Sequence, residues 1–139
     1  MKKVLFVCTG NTCRSPMAEG IFNSLSKGAI SRGLYAEGGK ASENAVKAME
    51  KIGIDISEHV STQLTRKDIN QSDLVLTMTK GHKMAILSAM PDCEEKVFTL
   101  GEYAEGRDVT DPYGGDEEVY DKCARELYDY IERIVEKLK

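Results

Sequence analysis

Short apolar runs alternate with helical repeats along the chain. The apolar runs at 3–7, 29–34, 74–78 and 97–100 predict four strands, of which the second is the weakest. Helical spacing predicts helices at 15–27, 42–53 and 80–90 and a long helix from 117 onward, and Thr65 as a capping residue predicts a short helix at 65–70. In that last helix the apolar positions recur in steps of four and three, at Val119, Cys123, Leu127, Tyr130, Ile134 and Leu138.

Residues at the ends of these segments fit helix boundaries. Pro16 lies at an early helical position, and Ser42 and Thr65 can cap the second and third helices. Gly53 ends the second helix and Pro91 ends the fourth. The second helix carries an apolar stripe formed by Ala45, Val46, Ala48, Met49 and Ile52.

Alternation of strands and helices is typical of a parallel sheet covered on both faces. We therefore predict an α/β fold: a single-domain, doubly wound parallel sheet of four strands with helices on both faces. At 139 residues, the chain is expected to form one domain over 1–139 with a core of its own. In sheets of this kind, ligands bind outside the carboxyl ends of the strands.

Composition narrows the functional classes. Hydrophobic residues make up 41% of the chain and charged residues 30%, which is ordinary for a soluble globular protein. The net charge of −4 argues against a nucleic-acid partner, which would require a basic stripe. The first apolar run breaks at 9–11, too early for a signal peptide, and no later stretch is long enough to cross a membrane.

The cysteines indicate a reducing compartment. Four of them, Cys8, Cys13, Cys93 and Cys123, are few for a disulfide scaffold, and no pair has the Cys-x-x-Cys spacing of a zinc site. The sequence shows no ligand cluster for a metal. We therefore predict a cytoplasmic, reduced protein without a metal.

The segment 8–15 connects the first strand to the first helix. Backbone N–H groups of such a loop converge on one point, and the helix N-terminus adds a positive field there. Gly10 and Asn11 readily accept the left-handed backbone of a tight cradle, and Arg14 offers a planar fork of donors for two phosphate oxygens. The sequence therefore predicts a phosphate-binding loop after strand one, formed by Thr9, Gly10, Asn11, Thr12, Cys13, Arg14 and Ser15.

Cys8 lies at the floor of this predicted cradle. A helix N-terminus and a nearby cation favour the thiolate form of a cysteine, which is its nucleophilic form, and Ser15 can donate a hydrogen bond to the sulfur. The same groups can then hold the equatorial oxygens of a transferring phosphoryl group. A lone cysteine at a strand end more often packs as a small hydrophobic residue, but the surrounding residues favour a catalytic Cys8.

Asp111 is a second candidate, and it precedes Pro112. An aspartate on such a loop commonly makes a turn, and the proline restricts the residue before it. Expulsion of a leaving group by a thiolate also needs a proton, however, which a positioned carboxylic acid supplies. Asp111 is therefore a candidate general acid as well as a candidate turn residue.

Two segments of this chain closely resemble the low-molecular-weight protein tyrosine phosphatase family. They are VLFVCTGNTCRSPMAE at 4–19 and DPYGG at 111–115. The resemblance extends over essentially the whole chain. It implies hydrolysis through a phosphocysteine intermediate, with Cys8 as nucleophile, Arg14 as phosphate ligand, and Asp111 as general acid and then as base for the attacking water. It also implies phosphorylated proteins as substrates, inorganic phosphate as product, and no cofactor.

The same resemblance implies supporting residues for the loop. Ser31 and His59 match family positions that hydrogen-bond Asn11 and hold the loop in shape. Arg32 is a departure, because relatives usually have a small residue directly after this serine. Without the resemblance, His59 is better interpreted as a surface histidine on a connecting loop.

Two further roles are implied in the same way. Tyr113 would line the mouth of the pocket, although a half-exposed loop aromatic is the alternative. Cys13 would pair with Cys8 as a reversible disulfide that protects the nucleophile from over-oxidation. The alternative for Cys13 is inert burial at the start of the helix.

Thr12 bears on the substrate. Many tyrosine-directed relatives carry an aliphatic residue here, whereas the chain resembles the family's bacterial protein arginine phosphatases in having Thr12 and in the Gly-Gly after Asp-Pro-aromatic. The Thr12 hydroxyl and the Asp111 carboxylate suit a planar guanidinium. Where tyrosine phosphatases often carry a second aromatic residue, this chain has Gly-Gly, which weakens stacking on phosphotyrosine by ~0.5–1.5 kcal/mol. We predict a preference for phosphoarginine, with phosphotyrosine as the alternative.

Three other functions are weaker alternatives. An arsenate reductase of the same fold uses two further cysteines on a mobile segment, but Cys93 stands alone in that region and Cys123 lies in the last predicted helix. A non-catalytic phosphate-binding module would be expected to lack Cys8, Arg14 or Asp111, and all of these are present. A structural protein would leave the Cys8 cradle unexplained.

Overall fold

The computed structural model describes residues 2–139. Its elements are β1 (Val4–Cys8), α1 (Arg14–Leu25), β2 (Ala29–Gly33), α2 (Glu43–Glu50), α3 (Arg66–Gln71), β3 (Leu74–Thr77), α4 (Lys80–Ala89), β4 (Val97–Thr99), α5 (Leu100–Ala104) and α6 (Glu117–Leu138). A 3₁₀ helix, Pro91–Lys96, precedes β4. Among the described residues, no helix combines the length and the apolar character needed to cross a membrane.

The strands form one parallel sheet in the order β2-β1-β3-β4. All residues of β1 and β3 are buried, as expected for central strands of a parallel sheet with helices on both faces. The chain runs from β1 outward to β2 and then returns to the other side of β1 at β3. This change of direction opens a crevice at the carboxyl ends of β1 and β3.

Two hydrophobic clusters cover the faces of the sheet. Phe6 and Val7 are neighbours in β1 and therefore point to opposite faces. Phe6 belongs to the larger cluster with α1, α2, α5 and α6, in which Leu127 is fully buried. Val7 belongs to the smaller cluster, which includes Ile69 of α3 and Ile86 of α4. The prediction of a doubly wound four-stranded α/β domain is confirmed.

Two short elements lie outside the sequence prediction. Pro91 was expected only to stop a helix, but it also begins the 3₁₀ helix. The predicted last strand ends early, at Thr99, because Thr99 caps α5: Glu102 N–H donates to Thr99 Oγ1 and Thr99 N–H donates to Glu102 Oε1, both at 2.9 Å. Elements this short show too little of a helical period to be recognised from apolar spacing.

Two apolar residues of the predicted helical stripes are exposed. Ile52 is 38% exposed because it lies beyond Glu50, the last residue of α2, where the chain turns. Val119 is 43% exposed and lies in the first turn of α6, against Gly115 of the preceding loop. The remaining members of the α6 stripe pack into or against the larger cluster.

Candidate active site

The predicted cradle lies in the crevice at the carboxyl end of β1. β1 ends at Cys8 and α1 begins at Arg14, so the residues between them form a loop that leads into a helix N-terminus. Asn11 adopts the left-handed conformation, with φ of 57°. Gly10, the other residue that readily accepts this conformation, is not among the residues of positive φ in the described part of the chain. One left-handed residue is enough to turn this loop.

A short chain of hydrogen bonds ends at the sulfur of Cys8, a residue that is only 3% exposed. Asn11 Nδ2 donates to Ser15 Oγ at 2.8 Å, and Ser15 Oγ lies 2.9 Å from Cys8 Sγ. Since Ser15 Oγ accepts from Asn11, its own hydrogen remains available to the sulfur. Ser15 can therefore supply the kind of hydrogen bond that a thiolate accepts.

Asn11 is fully buried and connects the loop to two distant segments. Its Nδ2 donates to Ser31 Oγ at 3.0 Å, and its main-chain carbonyl oxygen accepts a hydrogen bond from His59 Nε2 at 2.8 Å. The contacts implied for Ser31 and His59 are thus both present. Thr62 adds a support that sequence reasoning missed, because its N–H donates to Asn11 Oδ1 at 2.9 Å.

Arg32 does not disturb the neighbouring Ser31. Its Nε donates to Asp68 Oδ2 of α3 at 3.1 Å, which pairs its charge with a carboxylate outside the cradle. The Ser31 hydroxyl donates to Glu19 Oε1 at 2.6 Å while it accepts from Asn11. Glu19 of α1 therefore helps to orient Ser31, a role that the sequence analysis did not assign.

The guanidinium of Arg14 joins the cradle to the segment that carries Asp111. Arg14 Nη1 donates to the carbonyl oxygen of Val109 at 2.9 Å, and Nη2 lies 3.7 Å from Asp111 Oδ2. Val109 N–H donates to the carbonyl oxygen of Met78, directly after β3, at 2.9 Å. The carboxylate of Asp111 is thereby held near Arg14, with its side chain 55% exposed.

Asp111 also makes the turn contact that its place before a proline suggested. Tyr113 N–H donates to Asp111 Oδ1 at 3.0 Å. One carboxylate oxygen therefore stabilises the turn, and the other lies beside Arg14. The turn fixes the direction of the carboxylate, so the two interpretations of Asp111 are compatible.

A cavity of about 280 Å³ brings these groups together. Its lining residues are Cys8, Thr9, Gly10, Thr12, Cys13, Arg14, Asp111 and Tyr113. The lining of the cavity thus includes a thiol, a guanidinium and a carboxylate. Tyr113 is 81% exposed and lies at the rim.

His82 of α4 is a residue of the site that sequence reasoning missed. Its ring is buried, and Nε2 lies 2.9 Å from Thr9 Oγ1. Burial, followed by the positive charge of Arg14, lowers the pKa of His82 from 6.5 to about 4, against the opposing effect of the Asp111 and Asp108 carboxylates. His82 is therefore neutral at pH 7. In the sequence, His82 follows the capping residue Thr79 by three positions, and this spacing does not indicate a contact with Thr9.

The lowered pKa of His82 predicts a loss of stability in acid. The unfolded ring titrates near 6.5 and the folded ring near 4, so this contribution is complete above pH 6.5 and is lost as the pH falls toward 4. Between pH 7.5 and pH 5, His82 is expected to lower the free energy of unfolding by about 2 kcal/mol. His82→Gln does not titrate and should remove this part of the pH dependence. Chemical denaturation of both proteins at the two pH values measures it, and identical losses would contradict the prediction.

Cys13 lies at the N-cap position of α1 and faces three hydroxyl groups, of which that of Thr12 lies 3.7 Å from its Sγ. Its Sγ is 3.4 Å from Tyr120 Oη and 3.6 Å from Ser42 Oγ. Burial, together with the contact to Cys13, raises the pKa of Tyr120 to about 12, so this phenol stays protonated. Cys13 and Cys8 are both free thiols in this structure.

The fold and the site together define a class of protein. A buried cysteine on a strand-to-helix phosphate loop, with an arginine and a carboxylic acid at the same cavity, is the arrangement of a cysteine-dependent phosphatase. Within residues 2–139, no three histidine, cysteine, aspartate or glutamate side chains are grouped so that they could hold a metal ion.

Comparison with known proteins identifies the family. The model of the low molecular weight phosphotyrosine protein phosphatases matches residues 3–139. A protein-arginine-phosphatase from Bacillus subtilis is 41% identical over 98% of this chain and 96% of its own length. The low molecular weight protein-tyrosine-phosphatase PtpB from Staphylococcus epidermidis is 40% identical over 95% of this chain and 96% of its own.

A solved structure extends the comparison to the site. It is that of YwlE arginine phosphatase with a cysteine-to-serine change and a phosphorylated active-site serine, and it superposes with a TM-score of 0.94 at 39% identity, over 98% of this chain and 95% of the other. The chain belongs to the low molecular weight phosphotyrosine protein phosphatase family. It is a hydrolase that removes phosphoryl groups from proteins.

Proposed function

We propose that this enzyme hydrolyses phosphoarginine side chains of proteins through a phosphocysteine on Cys8. The observation that carries the substrate class is Thr12, which lines the cavity together with Asp111. This hydroxyl and this carboxylate offer polar partners to a planar guanidinium. Tyr113 is the one aromatic residue among the described lining residues, so a phosphotyrosine ring would find a single aromatic wall there. The similarity to a protein-arginine-phosphatase from B. subtilis supports the same substrate class.

In the first step the Cys8 sulfur attacks the phosphorus atom. A sulfur–phosphorus bond forms while the phosphorus–nitrogen bond to the arginine side chain breaks. The electron pair of that bond stays on the nitrogen, which takes the proton of Asp111 as the arginine leaves. Arg14 and the loop N–H groups at 9–15 hold the three equatorial oxygens of the phosphoryl group, which carry its negative charge during the transfer.

In the second step water attacks the phosphocysteine. Asp111, now a carboxylate, accepts a proton from the water, and the sulfur–phosphorus bond returns its electron pair to Cys8. Inorganic phosphate leaves the cradle. The relative that carries a phosphorylated active-site serine in place of cysteine supports an intermediate of this kind. Ser31 and His59 act here only by holding Asn11 and thus the shape of the loop.

The choice between substrates is tested by Thr12→Ile. Wild type is expected to have a higher kcat/KM for phosphoarginine peptides than for phosphotyrosine peptides. Thr12→Ile should lower the ratio of these two kcat/KM values about tenfold or more. The reason is the loss of a hydrogen-bonding group near a charged substrate, which is worth roughly 1.5–3 kcal/mol. Phosphate release from matched peptides that differ only in the phosphorylated residue measures the ratio.

Thr12→Ser is the matched variant, because it keeps the hydroxyl and loses only a methyl group. It should retain the wild-type ratio. An unchanged ratio in Thr12→Ile, with phosphotyrosine turned over at least as well by wild type, would favour the second candidate function. That candidate is a phosphotyrosine phosphatase, and the 40% identity to PtpB from S. epidermidis is the observation in its favour.

The arsenate reductase alternative finds no support in the positions of the other cysteines. Cys93 lies in the 3₁₀ helix and packs in the smaller hydrophobic cluster, on the opposite face of the sheet from α1. Cys123 lies in α6, where burial raises its pKa to about 12. A thiol that stays protonated at neutral pH is a poor relay for thiol–disulfide exchange.

We also infer that Cys13 can close a reversible disulfide with Cys8 under oxidation. Cys13 is five positions along the same loop, and both thiols line the cavity. Such a bond would keep Cys8 from irreversible oxidation at the cost of activity. The four free thiols fit a reducing compartment, and we assign the enzyme to the cytoplasm on that basis.

A further inference from the structure

His82 and Thr9 meet although they are 73 positions apart. β1 and β3 are paired, with Val7 opposite Thr77, so the segments that follow these strands run side by side at the carboxyl edge of the sheet. Thr79 caps α4 and accepts a hydrogen bond from His82 N–H at 3.3 Å. The sheet and the cap together place the ring of His82 beside the first residue after Cys8.

The two nitrogen atoms of the His82 ring have different surroundings. Nε2 lies against the Thr9 hydroxyl, whereas Nδ1 is buried and has no hydrogen-bond partner among residues 2–139. A neutral ring carries one N–H. On Nε2 that hydrogen can be donated to Thr9 Oγ1, but on Nδ1 it would be a buried donor without an acceptor, which is costly. The surroundings therefore select the tautomer with hydrogen on Nε2.

We propose that His82 is a positioning residue of the phosphate cradle, which holds the Thr9 side chain so that its hydroxyl donates a hydrogen bond to the phosphoryl group on Cys8. Thr9 Oγ1 accepts the hydrogen of Nε2, so its own hydrogen remains free. Thr9 is exposed and lines the cavity together with Cys8. The proposal rests on the proposed function only in taking Cys8 as the residue that receives the phosphoryl group.

Burial, and after it the charge of Arg14, favours a neutral His82. Arg14 opposes its protonation, and the carboxylates of Asp111 and Asp108 favour protonation but do not overcome Arg14 and burial. The tautomer and its contact with Thr9 should therefore persist across the neutral range. We expect His82 to add no titration step to the pH profile of kcat between pH 5 and pH 8.

The contact is tested with His82→Leu and Thr9→Val in the full chain. Each should lower kcat for para-nitrophenyl phosphate about tenfold and weaken competitive inhibition by inorganic phosphate to a similar extent, as expected for one lost hydrogen bond to a charged group. The double variant should be no slower than either single variant, because both changes remove the same hydrogen bond. His82→Gln keeps a side-chain N–H and should recover most of the loss.

Ile86→Ala controls for damage to α4. Ile86 is buried on the same helix and does not line the cavity, so this variant should lower thermal stability without the tenfold loss in kcat. Wild-type kcat and phosphate inhibition in His82→Leu would overturn the proposal, and so would losses that multiply in the double variant.

The tautomer offers a readout that is independent of turnover. Long-range ¹⁵N–¹H spectra of the imidazole at pH 7 should show hydrogen on Nε2 of His82, and hydrogen on Nδ1 would overturn the proposal. Para-nitrophenyl phosphate contains no arginine, so the test of His82 and Thr9 does not depend on whether the enzyme hydrolyses phosphoarginine. If the proposed function fails, wild type would hydrolyse this compound but not phosphoarginine peptides, and the comparison of His82 and Thr9 variants would still hold.

Discussion

Replacing the nucleophile, Cys8→Ser, is expected to lower turnover of a phosphoarginine peptide by on the order of 10⁴-fold or more. A serine hydroxyl is a far weaker nucleophile than a thiolate unless an adjacent base activates it. The hydrogen bond from Ser15 and the guanidinium of Arg14 serve an anion and do not remove a proton from a hydroxyl. Initial rates with radiolabelled or mass-resolved peptide measure the loss.

Binding should survive the same change. The loop N–H groups and Arg14 remain in place in Cys8→Ser, so inorganic phosphate should bind with an affinity close to that of wild type in calorimetric titration. Cys93→Ser is the matched control, because Cys93 is a buried cysteine of the smaller cluster and its Sγ donates a hydrogen bond to the carbonyl oxygen of Met90 at 3.0 Å, away from the cavity. That variant should keep wild-type turnover. Activity within tenfold of wild type in Cys8→Ser would show that another residue attacks the phosphorus.

Removing the candidate acid, Asp111→Asn, is expected to lower kcat for phosphoarginine peptides by roughly 10²- to 10⁴-fold. The amide keeps the size of the side chain and can still accept the Tyr113 N–H, but it has no proton to give to the leaving nitrogen. The loss should be much smaller with para-nitrophenyl phosphate, since para-nitrophenolate is stable enough to leave without a proton. Steady-state rates with the two substrates measure this difference.

The neighbouring carboxylate provides the control for this variant. Asp108 is exposed, and its Oδ2 accepts a hydrogen bond from Lys80 N–H at 3.0 Å. Asp108→Asn keeps an acceptor there and should leave the difference between the two substrates as in wild type. Equal losses with both substrates in Asp111→Asn would show that Asp111 only shapes the loop.

Local patterns in the sequence were sufficient for most of the fold. The four strands were found because the central ones are buried on both faces and appear as continuous apolar runs, as in β3 (Leu74–Thr77). The long α6 was found from its repeating apolar positions. The misses have local causes too: α5 is only five residues long, and Ile52 lies just beyond the last turn of α2. Apolar spacing does not reveal an element as short as α5.

The cradle was likewise predictable from a local segment. Its strand, its turn and its helix start follow one another within 4–16, so the chemistry of Cys8 and Arg14 needs no distant partner to be recognised. Ser31 and His59 are different, because their roles were taken from the resemblance to a family. For Asp111 the residues left a turn and a general acid open, and the resemblance favoured the acid. In the structure, Ser31 and His59 both contact Asn11 of the loop, and Asp111 lies beside Arg14.

The sequence by itself determined the four strands, the longer helices, the phosphate loop and the candidate nucleophile, since all of these depend on residues that are near neighbours along the chain. Tertiary structure alone decided which distant groups complete the site. His82 lies 73 positions from Thr9, and they meet because the strand order places the segments after β1 and β3 side by side. Val109 lies 95 positions from Arg14 and follows α5, and it reaches Arg14 because its N–H is bonded to the carbonyl oxygen of Met78, directly after β3. Strand order depends on the packing of the whole sheet, and spacing along the chain does not encode it. The protonation of His82 was decided in the same way, because burial and the charge of Arg14 exist only once the chain has folded.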